Sequence, residues 1–198
     1  TVAAPATTGT TGVYNWTVTG PASTQARVRV TYNGNAIGTD ISNVNFIIAN
    51  PFITVSAPSS TTANWGYGSV RTQTWATTLG PGDRVNLLMS TDGGATFPIT
   101  LASNVVASLK TLKVTTPVLG APTTLARVRV EWVGNPAVAG TNPVNFQVQP
   151  PFVTVTAPNG PANVWTIGTS RTITWTHNLG SLENVKIELS QDGGANYF

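Results

Sequence analysis

Leu125-Ala126-Arg127-Val128-Arg129-Val130-Glu131-Trp132 is the stretch whose reading decides the fold. Apolar and polar residues alternate along it. Ala126, Val128, Val130 and Trp132 therefore share one face, and Arg127, Arg129 and Glu131 share the other. A period of two is the mark of a strand half-buried in a sheet. The same phrase stands 100 residues earlier as Ala26-Arg27-Val28-Arg29-Val30.

Working outward, the period of 100 holds elsewhere. Pro51-Phe52-Ile53-Thr54-Val55 returns as Pro151-Phe152-Val153-Thr154-Val155. Trp65, Gly68, Arg71 and Trp75 return as Trp165, Gly168, Arg171 and Trp175. Ser90, Asp92, Gly93 and Gly94 return as Ser190, Asp192, Gly193 and Gly194. A fixed internal period marks an array of like modules, each one supersecondary unit or small domain.

One period reads as seven short strands: Phe52–Ser56, Val70–Trp75, Arg84–Ser90, Thr96–Thr100, Lys110–Thr115, Leu125–Trp132 and Val144–Val148. No segment keeps a helical period for three turns. The expected class is all-β, as tandem immunoglobulin-like or fibronectin type III-like β-sandwiches. Trp65, Trp75, Trp165 and Trp175 are the expected large core fillers. Junctions are expected at Ala49-Asn50-Pro51 and Gln149-Pro150-Pro151, where proline stiffens a joint without a flexible tether. On this register residues 1–49 are the C-terminal half of a unit, 50–149 a complete unit, and 150–198 the N-terminal half of another. Thr1-Val2-Ala3 takes up the pattern very nearly where Asn196-Tyr197-Phe198 leaves it. Each half alone would expose an apolar face and bare strand edges. Completion is expected from neighbouring repeats of a longer chain, or from a second copy in a head-to-tail contact of the kind that builds open filaments.

Composition agrees with a structural role. Only 9% of the 198 residues are charged, against roughly a quarter in ordinary soluble domains. Hydroxyl and amide side chains take their place, as in many secreted and cell-surface β-proteins. The net charge of +3 comes without any basic run, so nucleic acid is not an expected partner. No apolar stretch approaches the roughly 20 residues of a membrane helix. The chain has no cysteine, which removes disulfides, thiolate metal sites and thiol catalysis.

The first half of each unit carries a resemblance. Pro158-Asn159-Gly160, Trp165-Thr166-Ile167-Gly168, Ile173-Thr174-Trp175 and Val185, Ile187, Leu189, Ser190 resemble the Ig-like modules of the Ser/Thr-rich GPI-anchored cell-surface family. That family is related to fungal cell-wall β-glucan assembly proteins, and similar modules recur in large secreted bacterial proteins. The central unit keeps Trp65, Gly68, Trp75, Val85, Leu87 and Ser90 but has Ser59-Ser60 for Asn-Gly and Gln73 for the isoleucine. The resemblance implies a cell-surface or cell-wall setting and no catalytic residues. Ser90-Thr91-Asp92-Gly93-Gly94-Ala95-Thr96-Phe97 also resembles the Asp-box of sialidase-like propellers, a hairpin element away from catalytic centres.

Asp92, Gly93 and Gly94, with Asp192, Gly193 and Gly194, are read as turns: the carboxylate caps backbone N–H groups while glycine takes positive φ. One carboxylate per turn is too few for calcium. Arg27, Arg29, Arg127 and Arg129 project from one sheet face as a solvated surface or a contact stripe. Asn15-Trp16-Thr17 is a single glycosylation sequon at Asn15. Tyr67 and Tyr197 are surface candidates for stacking on sugar. His177, the only histidine, has Thr77 as its counterpart, so neither a Ser-His-Asp triad nor a histidine metal site has material to build from. No metal, cofactor or enzymatic activity is expected. The expected function is an extracellular or cell-surface structural protein, a semi-rigid rod or filament of repeats whose partner is itself, head to tail. The alternative is a glycan-binding adhesin or accessory module, with polysaccharide as its partner.

Overall fold

A computed structural model describes residues 11–32 and 38–198. The described chain is all-β; its one helical element is a single 3-10 turn at Ala107–Leu109. It divides into two compact units, Thr1–Pro51 and Phe52–Phe198. Thr1-Val2-Ala3, the expected start of the first half, lies outside the described residues.

Among its described residues the first unit holds two strand pairs, both antiparallel. β1 (Ser23–Ala26) pairs with β4 (Phe46–Ile48), and β2 (Arg29–Thr31) pairs with β3 (Thr39–Ile41).

Nine strands of the second unit build two sheets: β5 (Ile53–Val55), β6 (Asn64–Gly66), β7 (Val70–Thr77), β8 (Arg84–Ser90), β9 (Ile99–Val106), β10 (Thr111–Thr115), β11 (Thr123–Trp132), β12 (Asn135–Thr141) and β13 (Phe146–Gln149). One sheet has the order β10-β7-β5. The other runs β6-β13-β11-β8-β9, with β12 also pairing along β11. The sheets meet through the alternating faces read from sequence. Ile53, Val55, Trp75 and Val114 of the smaller sheet pack with Val85, Leu87 and Val130 of the larger. A second cluster joins Trp65, Met89, Ala126, Val128, Phe146 and Val148, with the Trp65 and Phe146 rings 4.5 Å apart. The Trp75 indole N–H, buried with its ring, donates to Ala107 O at 2.9 Å, which satisfies the polar edge of this large core residue.

Two of these nine strands are absent from the sequence reading. β6 is three residues long and exists by parallel pairing with β13 (Trp65 opposite Val148), a contact no local pattern announces. β12 contains Pro136 and Gly140 and so reads as loop. It pairs with β11 alone, and an edge strand tolerates proline. Gly140 is required there, since a Cβ would lie 2.5 Å from Ile53 O. The strand expected at Thr96–Thr100 begins later, at Ile99, because the Ser90–Thr96 turn holds the chain longer.

Between β12 and β13 the chain changes register along β11, and Asn142 bridges the break. Fully buried, it accepts a hydrogen bond from Val128 N–H at 2.7 Å and donates through Nδ2 to Pro58 O and Val144 O at 2.9 and 2.6 Å. In the first unit Ser42 does related work. Its Oγ accepts from Val28 N–H at 3.2 Å and donates to Val44 O at 3.4 Å.

Gln73 is buried with Oε1 lacking a partner, and the residue 100 positions on is Ile173. An unsatisfied buried amide oxygen costs about 1–3 kcal/mol. Gln73→Ile is therefore expected to raise the unfolding free energy of this sandwich by about 1–2 kcal/mol in urea titration.

The last strands, β14 (Val153–Ala157) and β15 (Thr174–His177), form an antiparallel pair. The sequence places Trp165 and Trp175 in a core beside Trp65 and Trp75, and here the structure differs. Trp65 is 5% exposed and Trp165 is 42% exposed; Trp175 is half-buried where Trp75 is buried. The reason is missing cover. Phe146 and Val148 close over Trp65, and no strand equivalent to β11 or β13 lies beside β14 and β15 among the described residues.

Candidate assembly interface

The second expected boundary, at 149/150, falls inside the Phe52–Phe198 unit because polar contacts tie the two parts together. Asn178, buried, is their centre. Its Oδ1 accepts from Phe152 N–H at 2.9 Å, and its Nδ2 donates to Pro150 O at 3.0 Å and Asn64 Oδ1 at 3.2 Å. Its carbonyl oxygen accepts from Gly66 N–H at 2.8 Å and from the Arg71 guanidinium. Arg71 also donates to Asn64 O at 3.2 Å and Ser69 Oγ at 3.1 Å, with its guanidinium carbon 5.7 Å from the Trp65 ring centroid. Burial lowers its pKa from the ordinary arginine value, and Glu183 opposes that shift. Glu183 Oε1 accepts from Val70 N–H at 3.3 Å.

Backbone permits the approach at two glycines. A Cβ on Gly66 would lie 2.9 Å from Asn178 O, and one on Gly180 would lie 3.1 Å from Val70 O. Gly180 also has φ of +93°, which glycine adopts without strain. An open cleft of about 460 Å³ beside the joint is lined in part by Arg71, Trp175, His177 and Glu183. His177 Nδ1 accepts from Leu179 N–H at 3.2 Å, so these groups bind the backbone around them. These bonds tie one part of the unit to the next. Neither Asn178 nor Asn142 was found from sequence. Their counterparts are Thr78 and Ser42, so the period gives no signal. Thr78 Oγ1 accepts from Phe52 N–H at 3.1 Å, the role Asn178 plays for Phe152.

Each unit also carries an open apolar face. Val128 and Val130 are fully buried, while Val28 and Val30, on the same alternation, are 45% and 70% exposed. Val85, Leu87 and Met89 are fully buried, while Val185, Ile187 and Leu189 are 38%, 56% and 57% exposed. Identical or similar side chains thus form a core in one place and an uncovered apolar face in two others. Patches of this kind mark interaction surfaces.

The Asp92 turn is built as its residues suggest. The carboxylate accepts from Ser90 Oγ at 2.5 Å, Thr96 N–H at 3.0 Å and Thr96 Oγ1 at 2.5 Å. Asp192 repeats this with Ser190 Oγ at 2.6 Å, Asn196 N–H at 2.9 Å and Asn196 Nδ2 at 2.7 Å. Gly93, Gly94, Gly193 and Gly194 all have positive φ. Hydrogen bonds from Ser90 and Thr96, and from Ser190 and Asn196, hold both carboxyls far below the usual aspartate range. A depressed folded pKa contributes stability that is complete above the ordinary value of 3.8 and is lost as pH falls through the acid range below it. Unfolding free energy is expected to decline below about pH 4 in wild type, and with a shallower slope in Asp92→Asn, measured by denaturant titration between about pH 2 and 6.

The arginines divide by position. Arg127 Nε donates to Asn145 Oδ1 at 2.6 Å and Nη1 to Asn142 O at 3.0 Å. Arg27 repeats this toward Asn45 Oδ1 at 2.7 Å and Ser42 O at 3.4 Å. These two brace the chain across the register break, Arg27 from an exposed position and Arg127 from a half-buried one. Arg129 pairs with Glu131 at 3.4 Å, and its guanidinium lies 5.5 Å from the Phe97 ring centroid. The Arg29 side chain makes no hydrogen bond or ion pair among the described residues. Asn15 is exposed in a segment without strand pairing. Tyr67 packs on the second core cluster, whereas Tyr197 is exposed.

Among the described residues no group of three or more His, Asp or Glu is placed to hold a metal ion, and no helix is long and apolar enough to cross a membrane. Comparison with protein-family models, with curated proteins and with solved structures gave no match. Geometry alone carries the functional reading.

Proposed function

We propose that this chain is an extracellular structural repeat protein. Its modules are immunoglobulin-like or fibronectin type III-like sandwiches, and it forms a semi-rigid rod or filament in which the two open halves complete one another. The sheet order supports the module. On this reading β5, β7 and β10 would be strands A, B and E against β8, β11 and β13 as C, F and G, with β6, β9 and β12 as additions to the larger sheet.

The carrying observation is the contrast in burial. In the intact sandwich β8 pairs with β11 in the register Met89–Val128, Leu87–Val130, Val85–Trp132. Shifted by 100 residues, those pairs become Leu189–Val28, Ile187–Val30 and Val185–Tyr32, all apolar and all exposed. Each such side chain gains about 1.5–3 kcal/mol on full burial. The two faces are therefore complementary in kind, and a junction between them recreates the core already seen. One flank departs from this pattern. Asp40 stands where Gly140 admits Ile53 O, so in the junction the 153–155 segment of the next copy would have to stand further from β3 than β5 does from β12. Stiffness along the rod follows from the Arg71–Asn178 joint, whose bonds leave little room for hinge motion.

Sedimentation velocity and electron microscopy of the full chain over a wide concentration range test this. Concentration-dependent, unidirectional growth is expected, abolished by either Val30→Asp or Ile187→Asp. A monodisperse monomer at the highest concentration overturns the proposal, and retention of that monomer on a polysaccharide column favours the adhesin reading. Intact mass of the native material then separates a covalent array from a subunit filament.

A further inference from the structure

We infer that the junction is formed with a second copy of this chain in one fixed register, in which Arg29 of one copy lies directly opposite Glu188 of the next. The inference rests on the complementary halves proposed above and adds the partner residues and their alignment. In the intact sandwich Arg129 is opposite Leu88, Arg127 opposite Ser90, and Glu131 opposite Asn86. None of those outward-facing pairs joins opposite charges. Moved by 100 residues, the same register sets Arg29 against Glu188, Arg27 against Ser190, and Thr31 against Lys186. The charge pair thus appears only where two separate halves must find each other.

A second contact points to the same place. The Arg129 guanidinium sits 5.5 Å from the Phe97 ring centroid, and the corresponding aromatic is Tyr197, whose ring is exposed. Arg29 would then be bracketed by a carboxylate and an aromatic face, both from the partner half. A slip of one residue turns every inner side chain outward. A slip of two keeps the apolar faces together but sets Arg29 against Lys186 or against Ser190. The charge pair rejects the first of these by repulsion and the second by loss of attraction. Its part is to fix register, since exposed pairs add little affinity. Until the junction forms, Glu188 is held by Lys186 at 2.5 Å, and exchange of that partner for Arg29 leaves the Lys186 ammonium facing water.

Because the chain has no cysteine, the register is readable by directed disulfides in this 198-residue chain. Oxidised R29C/E188C is expected to give a ladder of covalent oligomers in denaturing gels, and R29C/K186C, the two-residue slip, is expected to give none. Independently, Arg29→Glu and Glu188→Arg should each weaken association about fivefold, and the double reversal should restore it to within about twofold. If wild type grows but both cysteine pairs cross-link equally, or the slipped pair dominates, or the double reversal fails to restore growth, the register is overturned and completion by halves stands. If wild type does not grow and neither pair cross-links, both are overturned.

Discussion

Trp65→Ala is expected to lower the unfolding free energy of the intact sandwich by about 3–5 kcal/mol, the cost of emptying a well-packed aromatic site. Trp65 is nearly fully buried against Phe146, and Met89, Val128 and Val148 share its cluster. The same change 100 residues on should behave differently. Trp165 is largely uncovered, so Trp165→Ala is expected to alter the dilute chain by about 0.5 kcal/mol or less. Its effect should appear at high concentration, as weaker growth. Urea titration at low concentration and sedimentation at high concentration separate the two. Equal losses from both variants in the dilute chain would contradict the contrast between core and open face.

Asn142→Leu is expected to cost about 3–5 kcal/mol, because it leaves Val128 N–H, Pro58 O and Val144 O without their partner in a dry place. Asn142→Ser gives a graded control. Ser42, its counterpart, serves the Val28 N–H and Val44 O positions with one hydroxyl. The serine variant should recover roughly half of the loss, since it lacks the reach to a third group. A leucine variant as stable as wild type would mean that water substitutes for the amide at the register break.

Legibility followed the range of the interaction. The strand at Leu125–Trp132 and the Asp92 turn depend on near neighbours in sequence, so alternation and turn chemistry exposed them. β6 and β12 depend on partners far along the chain, and their own residues look like loop. The joint was invisible for another reason. Asn178 acts through its main-chain carbonyl as well as its side chain, and any residue type supplies a carbonyl. Arg71 did recur as Arg171, but recurrence alone did not tell a brace from a surface charge. Arg27 and Arg127 show the same difficulty: alternation allows a solvated surface or a contact stripe, and their bonds to Asn45 and Asn145 are not visible in it.

By itself the sequence determined the all-β class and the period of 100 residues. Those properties are written in side-chain alternation and in identities at fixed spacing. Only the tertiary structure decided which copy of each apolar residue is covered, because burial belongs to the surroundings and not to the residue. Val30 and Val130 are the same side chain on the same kind of strand. One is a core residue and the other an open face, and the difference is whether a second sheet stands across from it.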